Sequence, residues 1–220
     1  MSYSTDREAM DAIIETGRQL YQQGLTVGTD GNLSCRVADD TLWTTATGAR
    51  KGYLTDEWLV KTDLEGNVLA GSRKPSSELK MHLCLYRNNP RAQAAVHTHP
   101  PFSTAFAAAN PSLGFHRMLL AEEGLYLGHV QVAPYATPGT EELAESIVPF
   151  CRDNNAVLLA NHGALTWGKD LSEACARTET LERCARIRYY CLTMGRASYL
   201  SEEEAAVLHR KGVALGHFEG

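Results

Sequence analysis

Apolar positions recur at helical spacing near the start of the chain. Met10, Ile13, Ile14, Gly17, Leu20 and Tyr21 fall on one face, which predicts an amphipathic helix over about residues 5–23, ended by Gly24. The pattern then shortens. Thr29-Asp30-Gly31-Asn32 reads as a tight loop with strands on both sides, Asp39-Asp40 as a hairpin turn, residues 41–46 as β-prone, and Thr47-Gly48 as a further turn. A short helix is expected over residues 56–59, a strand near 59–63, and a second hairpin at Glu65-Gly66-Asn67. Pro75-Ser76-Ser77-Glu78 opens a helix to about residue 86, with serine as the N-cap and Glu78 as a first-turn charge.

The second half continues in short pieces. Residues 94–97 form an apolar strand stopped by His99-Pro100-Pro101, and a helix begins near Phe102. Strands are predicted over 130–133 and 156–160, the latter fully buried, and helices over 141–150, 171–194 and 202–211. Helices and strands mix without strict alternation, and hairpins join several strands. That predicts an α/β fold with a mostly antiparallel sheet covered by helices. Neither a repeat nor a linker interrupts the pattern, so residues 1–220 are expected to form a single domain.

Composition narrows the function. The chain is 44% hydrophobic, enough for a sizeable core. Its 21 basic and 26 acidic residues are dispersed and give a net charge of −5, which argues against a nucleic-acid partner. The densest acidic run, Glu202 to Glu204, suits the first turn of a surface helix. The cysteines at 35, 84, 151, 175, 184 and 191 make no CxxC pair, which fits reduced thiols in a cytoplasmic protein. Residues 1–7 are polar and carry no signal pattern, and no apolar run reaches the ~20 residues of a membrane span.

Histidines carry the sharpest chemistry. In His97-Thr98-His99, positions i and i+2 of a strand share a face, so both imidazoles aim at one place. Two histidines can also sit together at a strand end with no ligand between them. His162, in Asn161-His162-Gly163 at the end of the buried strand, shifts the balance toward an open three-histidine zinc site, although a histidine in a glycine turn is the plainer alternative. His82, His116, His129, His209 and His217 lack that context.

Glu78 is the candidate acid/base, or else a carboxylate that simply steadies a helix start. Ser76 and Ser77 make the same helix start a candidate anion site, and the turns Gly31-Asn32 and Thr47-Gly48 could close round that anion.

Taken together, the strings Gly31-Asn32-Leu33-Ser34, Thr47-Gly48, Lys74-Pro75-Ser76-Ser77-Glu78, Val96-His97-Thr98-His99, Ala133-Pro134-Tyr135-Ala136-Thr137, Gly139-Thr140 and Leu159-Ala160-Asn161-His162-Gly163 resemble the class II aldolase/adducin family, over about residues 20–195. The resemblance implies a three-layer α/β/α sandwich and a homotetramer with sites between subunits. It also implies aldol cleavage of a ketose 1-phosphate. His97, His99 and His162 would hold Zn2+ or another divalent metal, Glu78 would be the acid/base, and Gly31, Asn32, Thr47, Gly48, Ser76 and Ser77 would hold the phosphate.

Two departures stand out against the family's ketose-phosphate aldolases. Arg117 follows His116 where those enzymes carry a proton-donating tyrosine, and residues 213–216 offer no second tyrosine. Arg117 suits a substrate carboxylate. The resemblance therefore also allows a decarboxylase of a phosphorylated 3-oxo sugar acid, a subgroup that the string from Leu85 to Arg91 is similar to. An adducin-like interaction domain is the reading from another class, set against the retention of all three histidines and Glu78.

Overall fold

The computed structural model describes residues 3–38, 41–109 and 115–218. The first helix, α1 (Asp6–Gln22), is capped by the Thr5 side chain, which accepts from the Glu8 amide. Its buried face carries Ala9, Ile13, Gly17 and Leu20, at the spacing the apolar pattern predicts.

Eight strands follow: β1 (Asn32–Ala38), β2 (Thr41–Thr45), β3 (Leu59–Asp63), β4 (Val68–Ala70), β5 (Ala94–Thr98), β6 (Val132–Ala133), β7 (Ala156–Leu159) and β8 (Gly163–Gly168). They form one sheet in the order β4-β3-β2-β1-β5-β8-β7-β6. Every pairing is antiparallel except β6 with β7. The expected turn at Asp39-Asp40 lies outside the described residues.

Side-chain alternation divides the core between the two faces of the sheet. Ala95, Val157, Leu159, Leu165 and Trp167 pack under α2 (Leu79–Asn88) and α4 (Glu141–Ser146), with Met81, Leu85 and Leu143. On the other face, Leu33, Cys35, Ala94 and Val96 meet α1 and the start of α5 (Leu171–Thr193). Farther along, Ala156, Leu158 and Ala164 meet α5 and α3 (Pro101–Ala108). This is the expected three-layer α/β/α sandwich. A last helix, α6 (Glu202–Ala214), opens with a capping box between Ser201 and Glu204.

The differences from the sequence pattern have local causes. No strand precedes the Thr29–Asn32 loop; α1 gives way to turns closed by Leu25 N–H to Leu20 O and Asp30 N–H to Val27 O. Neither serine caps α2. Pro75 bridges to Ala46, and Ser76 N–H donates to Thr45 O, so this stretch runs extended along the end of β2. The helix then starts three residues after Ser76, with Glu78 itself at the N-cap position. The helix expected over 141–150 stops at Ser146 and resumes as a 3-10 turn, Val148–Phe150, because Pro149 has no amide to continue the ladder. Glu123–Leu127 is a π-helical turn. Strand β8 has no counterpart in the sequence reading: Gly163 reads as a turn, yet all six residues of the strand are buried between β5 and β7.

Candidate active site

Strand geometry assembles the histidines. Asn32 of β1 and Leu165 of β8 flank His97, which fixes it at the centre of the sheet. His99 follows just beyond the end of β5. His162 sits in the hairpin between β7 and β8, whose reversal puts Asn161 at φ 56°, a conformation asparagine tolerates better than most residues. Gly163 allows the close approach: a Cβ there would lie 2.6 Å from His99 Cδ2 and 2.5 Å from Thr98 O.

The three imidazoles form a near-regular triangle, with ring centroids 4.9, 4.8 and 4.9 Å apart. His97 Nε2 lies 3.1 Å from His99 Nε2 and 3.3 Å from Glu78 Oε2, and His162 Nε2 lies 3.2 Å from Glu78 Oε1. Burial first, then the neighbouring His97, pushes His99 and His162 down to about 4, so both are neutral near pH 7. For Glu78, burial alone would raise the carboxyl. The hydrogen bond and charge of His97, the charge of His162 and the amide of Asn32 outweigh it and bring the group to about 2.

This donor set fits a divalent cation. Imidazole lone pairs and a carboxylate about 3 Å apart repel unless a positive centre lies between them. A tetrahedral zinc with Zn–N of about 2.0–2.1 Å would set its nitrogens ~3.4 Å apart; the His97 and His99 nitrogens stand 3.1 Å apart, and the ligand atoms of all three lie within 4.8 Å of one another. His97, His99 and His162 are the group that could hold such an ion among the described residues.

His99 and His162 open into a cavity of about 340 Å³ also lined by Glu78, Ser76, Ser77, Gly31, Asn32, Thr47 and Gly48, with His97 buried behind them. Every residue expected at an anion site lines the same cavity as His99 and His162, but with different duties. Thr47 braces its turn: its amide donates to Lys74 O at 3.0 Å and its hydroxyl to Pro75 O at 2.8 Å. Asn32 Nδ2 donates to Glu78 Oε2 at 2.9 Å and so orients the carboxylate. Ser76 Oγ accepts from the Glu78 amide. The amides of Gly48 and Ser77 and the Ser77 hydroxyl have no partner among the described residues, and both residues line the cavity. Gly31 can hold its φ of 76° against β5 only as glycine, since a Cβ would meet His97 O at 2.4 Å. Gly139 packs on Ser77, and its neighbour Pro138 closes one wall of the cavity.

Two lining residues, Asp30 and Lys51, are not singled out by a reading of the sequence alone. Asp30 Oδ2 stands 3.7 Å from His99 Nδ1 and favours a proton on that nitrogen. Lys51 lines the cavity from the 3-10 turn Lys51–Tyr53. Below Glu78, Ser34 Oγ joins His82 Nδ1 at 2.6 Å and Tyr86 OH at 2.7 Å, and burial holds His82 neutral. His82 is thus a core histidine, as its lack of context suggested. The TDG loop was a signal for Asp30. Lys51 carried none, being one charge in a polar run.

Arg117 stands elsewhere. Its guanidinium stacks 4.6 Å over the Tyr199 ring and lines a separate cavity with His116 and His129.

An eight-stranded α/β/α sandwich with a three-histidine cluster and a carboxylate at the end of its central strand defines a class of α/β proteins with a candidate metal site. The chain belongs to the class II aldolase and adducin family, whose N-terminal-domain model matches residues 11–189. The chain is 36% identical to the 3-oxo-tetronate 4-phosphate decarboxylase of Haemophilus influenzae, covering 94% of this chain and 99% of that one. It is also 36% identical to the 5-deoxy-D-ribulose 1-phosphate aldolase of Bacillus thuringiensis serovar kurstaki, covering 94% and 96%. A solved L-fuculose 1-phosphate aldolase superposes with a TM-score of 0.87 at 31% identity, covering 96% of this chain and 99% of that one. No helix among the described residues is long and apolar enough to cross a membrane.

Proposed function

We propose that the chain is a divalent-cation-dependent lyase that splits a carbon–carbon bond beside the carbonyl of a phosphorylated sugar. The favoured reaction is reversible aldol cleavage of a ketose 1-phosphate, of the fuculose 1-phosphate type, to dihydroxyacetone phosphate and an aldehyde. One observation carries this reading: Glu78 stands 3.3 Å from His97 and 3.2 Å from His162 and shares one cavity with His99, His162 and the unpartnered donors of Gly48 and Ser77.

His97, His99 and His162 hold the cation, with zinc the proposed ion because neutral imidazoles suit it. The bound cation would supply Lewis-acid polarisation of the substrate carbonyl oxygen. Gly31, Asn32, Thr47, Gly48, Ser76 and Ser77 build the phosphate site, with Thr47 and Asn32 acting through the groups they position. In the condensing direction the ionised Glu78 takes a proton from the carbon beside the carbonyl. That carbon then bonds to the aldehyde carbon as the aldehyde π pair moves to its oxygen, which takes up a proton from protonated Glu78 or from water, and cleavage is the reverse.

A second reading, decarboxylation of a phosphorylated 3-oxo sugar acid, is favoured by the nearly full-length match to the Haemophilus enzyme. The same electron movement releases carbon dioxide instead of an aldehyde. Arg117 lies outside the triad cavity of its own chain, so pairing it with a substrate carboxylate requires a site completed by a second subunit. The family resemblance supports a homotetramer of that kind, with residues 1–220 as one domain in each chain, and the scattered, unpaired cysteines suit the cytoplasm. Turnover of ketose 1-phosphates and phosphorylated 3-oxo acids, scored for dihydroxyacetone phosphate against carbon dioxide, separates the two. Sedimentation at micromolar concentration tests the tetramer, and an active monomer would contradict it.

A further inference from the structure

Lys51 is 2% exposed, yet it lines the cavity. Its Nζ donates to Thr29 O at 2.6 Å and to Ala49 O at 2.7 Å. Those carbonyls belong to the two turns that bound the proposed anion site, so one ammonium ties both turns together. The backbone around it is pinned to α1. A Cβ on Gly17 would meet Lys51 O at 2.6 Å, and one on Gly52 would meet the Tyr21 ring at 2.3 Å. With the main chain pressed against the helix, the side chain runs inward.

An ammonium has three donors, and the third has no partner among the described residues. Nor does a described carboxylate lie within ion-pair distance of Nζ; Asp30 and Glu78 act on it only from farther away. A buried cation without a contacting counter-ion is costly, and an anion in the cavity relieves that cost. Of the other lining groups around the turns, Gly48, Ser76 and Ser77 are neutral and Asp30 is acidic, so Lys51 is the one lysine or arginine of the lining among the described residues.

We infer that Lys51 is the cationic member of the anion site: it holds the two turns in register and supplies the positive charge against which a phosphate dianion is bound. The inference rests on the phosphate reading above and deepens it. It makes the cavity selective for a phosphorylated substrate over the same sugar without its phosphate.

The test uses inorganic phosphate as the probe, with apparent affinity read from thermal protection of the metal-loaded protein. Lys51→Met is expected to weaken phosphate ~10–100-fold, the range of a hydrogen bond to a charged group. Wild-type affinity in Lys51→Met, beside a loss in Ser76→Ala/Ser77→Ala, overturns the role of Lys51 and leaves the anion site standing. A wild-type protein that phosphate does not protect overturns the anion site and Lys51 with it. Where Lys51→Met does not fold, a crystal structure of the wild-type protein soaked in phosphate decides. Nζ within the ~4–6 Å over which a charge acts strongly is the expected result, and a phosphate at Ser77 with Nζ farther away overturns the inference.

Discussion

His97 donates its Nδ1–H to the carbonyl oxygen of Ala164 at 2.9 Å, and that bond decides which nitrogen faces the cavity. A carbonyl can only accept, so Nδ1 carries a proton and Nε2 is the nitrogen turned toward Glu78 and His99, where a cation would bind. His97→Ala, His99→Ala and His162→Ala should each lose bound metal, because two imidazoles do not complete the site. Elemental analysis checks this. About one ion per chain is expected in the wild type, and full metal content in His162→Ala would contradict the triad.

Glu78 is expected to act in the chemistry and not in assembly. Glu78→Gln keeps the shape and can still meet Asn32, but it cannot take a proton. Turnover should fall by ~10²–10⁴, with the melting temperature and phosphate protection largely kept. Unchanged turnover would leave Glu78 as an ordinary helix-start residue.

Gly163→Ala should disturb metal binding without touching a ligand. The added Cβ would stand 2.6 Å from His99 Cδ2 and 2.5 Å from Thr98 O, so the strand end or the imidazole must move. Isothermal titration with zinc should show weaker binding by ~10-fold or more, the scale on which metal sites respond to misplaced ligands. An unchanged affinity would mean the hairpin absorbs the methyl elsewhere.

Arg188 and Glu123 form a buried ion pair at 2.9 Å, with side chains 0% and 2% exposed. The pair holds the π-helical turn against α5, and Arg188 also donates to Arg117 O. Arg188→Leu strands a carboxylate whose burial already raises its pKa, and should destabilise the fold by ~3–5 kcal/mol. Urea unfolding measures it; a loss under ~1 kcal/mol would contradict a structural role for the pair.

What the sequence made legible follows from what is local. Helix α1 and strand β3 were readable because their apolar spacing is regular, and the triad because His97 and His99 share a strand face. Strand β8 was not, since Gly163 signals a turn and only burial between two neighbours makes it a strand. The N-cap of α2 was misplaced because the pairing of Ser76 with Thr45 joins residues 31 positions apart. Lys51 was invisible for the same reason: its meaning lies in the Thr29 carbonyl across the cavity, and no local pattern records that contact.

The central claim is that a cation on His97, His99 and His162 serves carbon–carbon cleavage of a phosphorylated sugar. Its most direct test is product formation by chelator-stripped protein titrated with zinc, using a panel of ketose 1-phosphates and phosphorylated 3-oxo acids. The expected result is no dihydroxyacetone phosphate or carbon dioxide from the stripped protein, and a rate that rises to saturation at about one ion per chain. Full turnover by the stripped wild-type protein, or metal-independent turnover by His162→Ala, would contradict it.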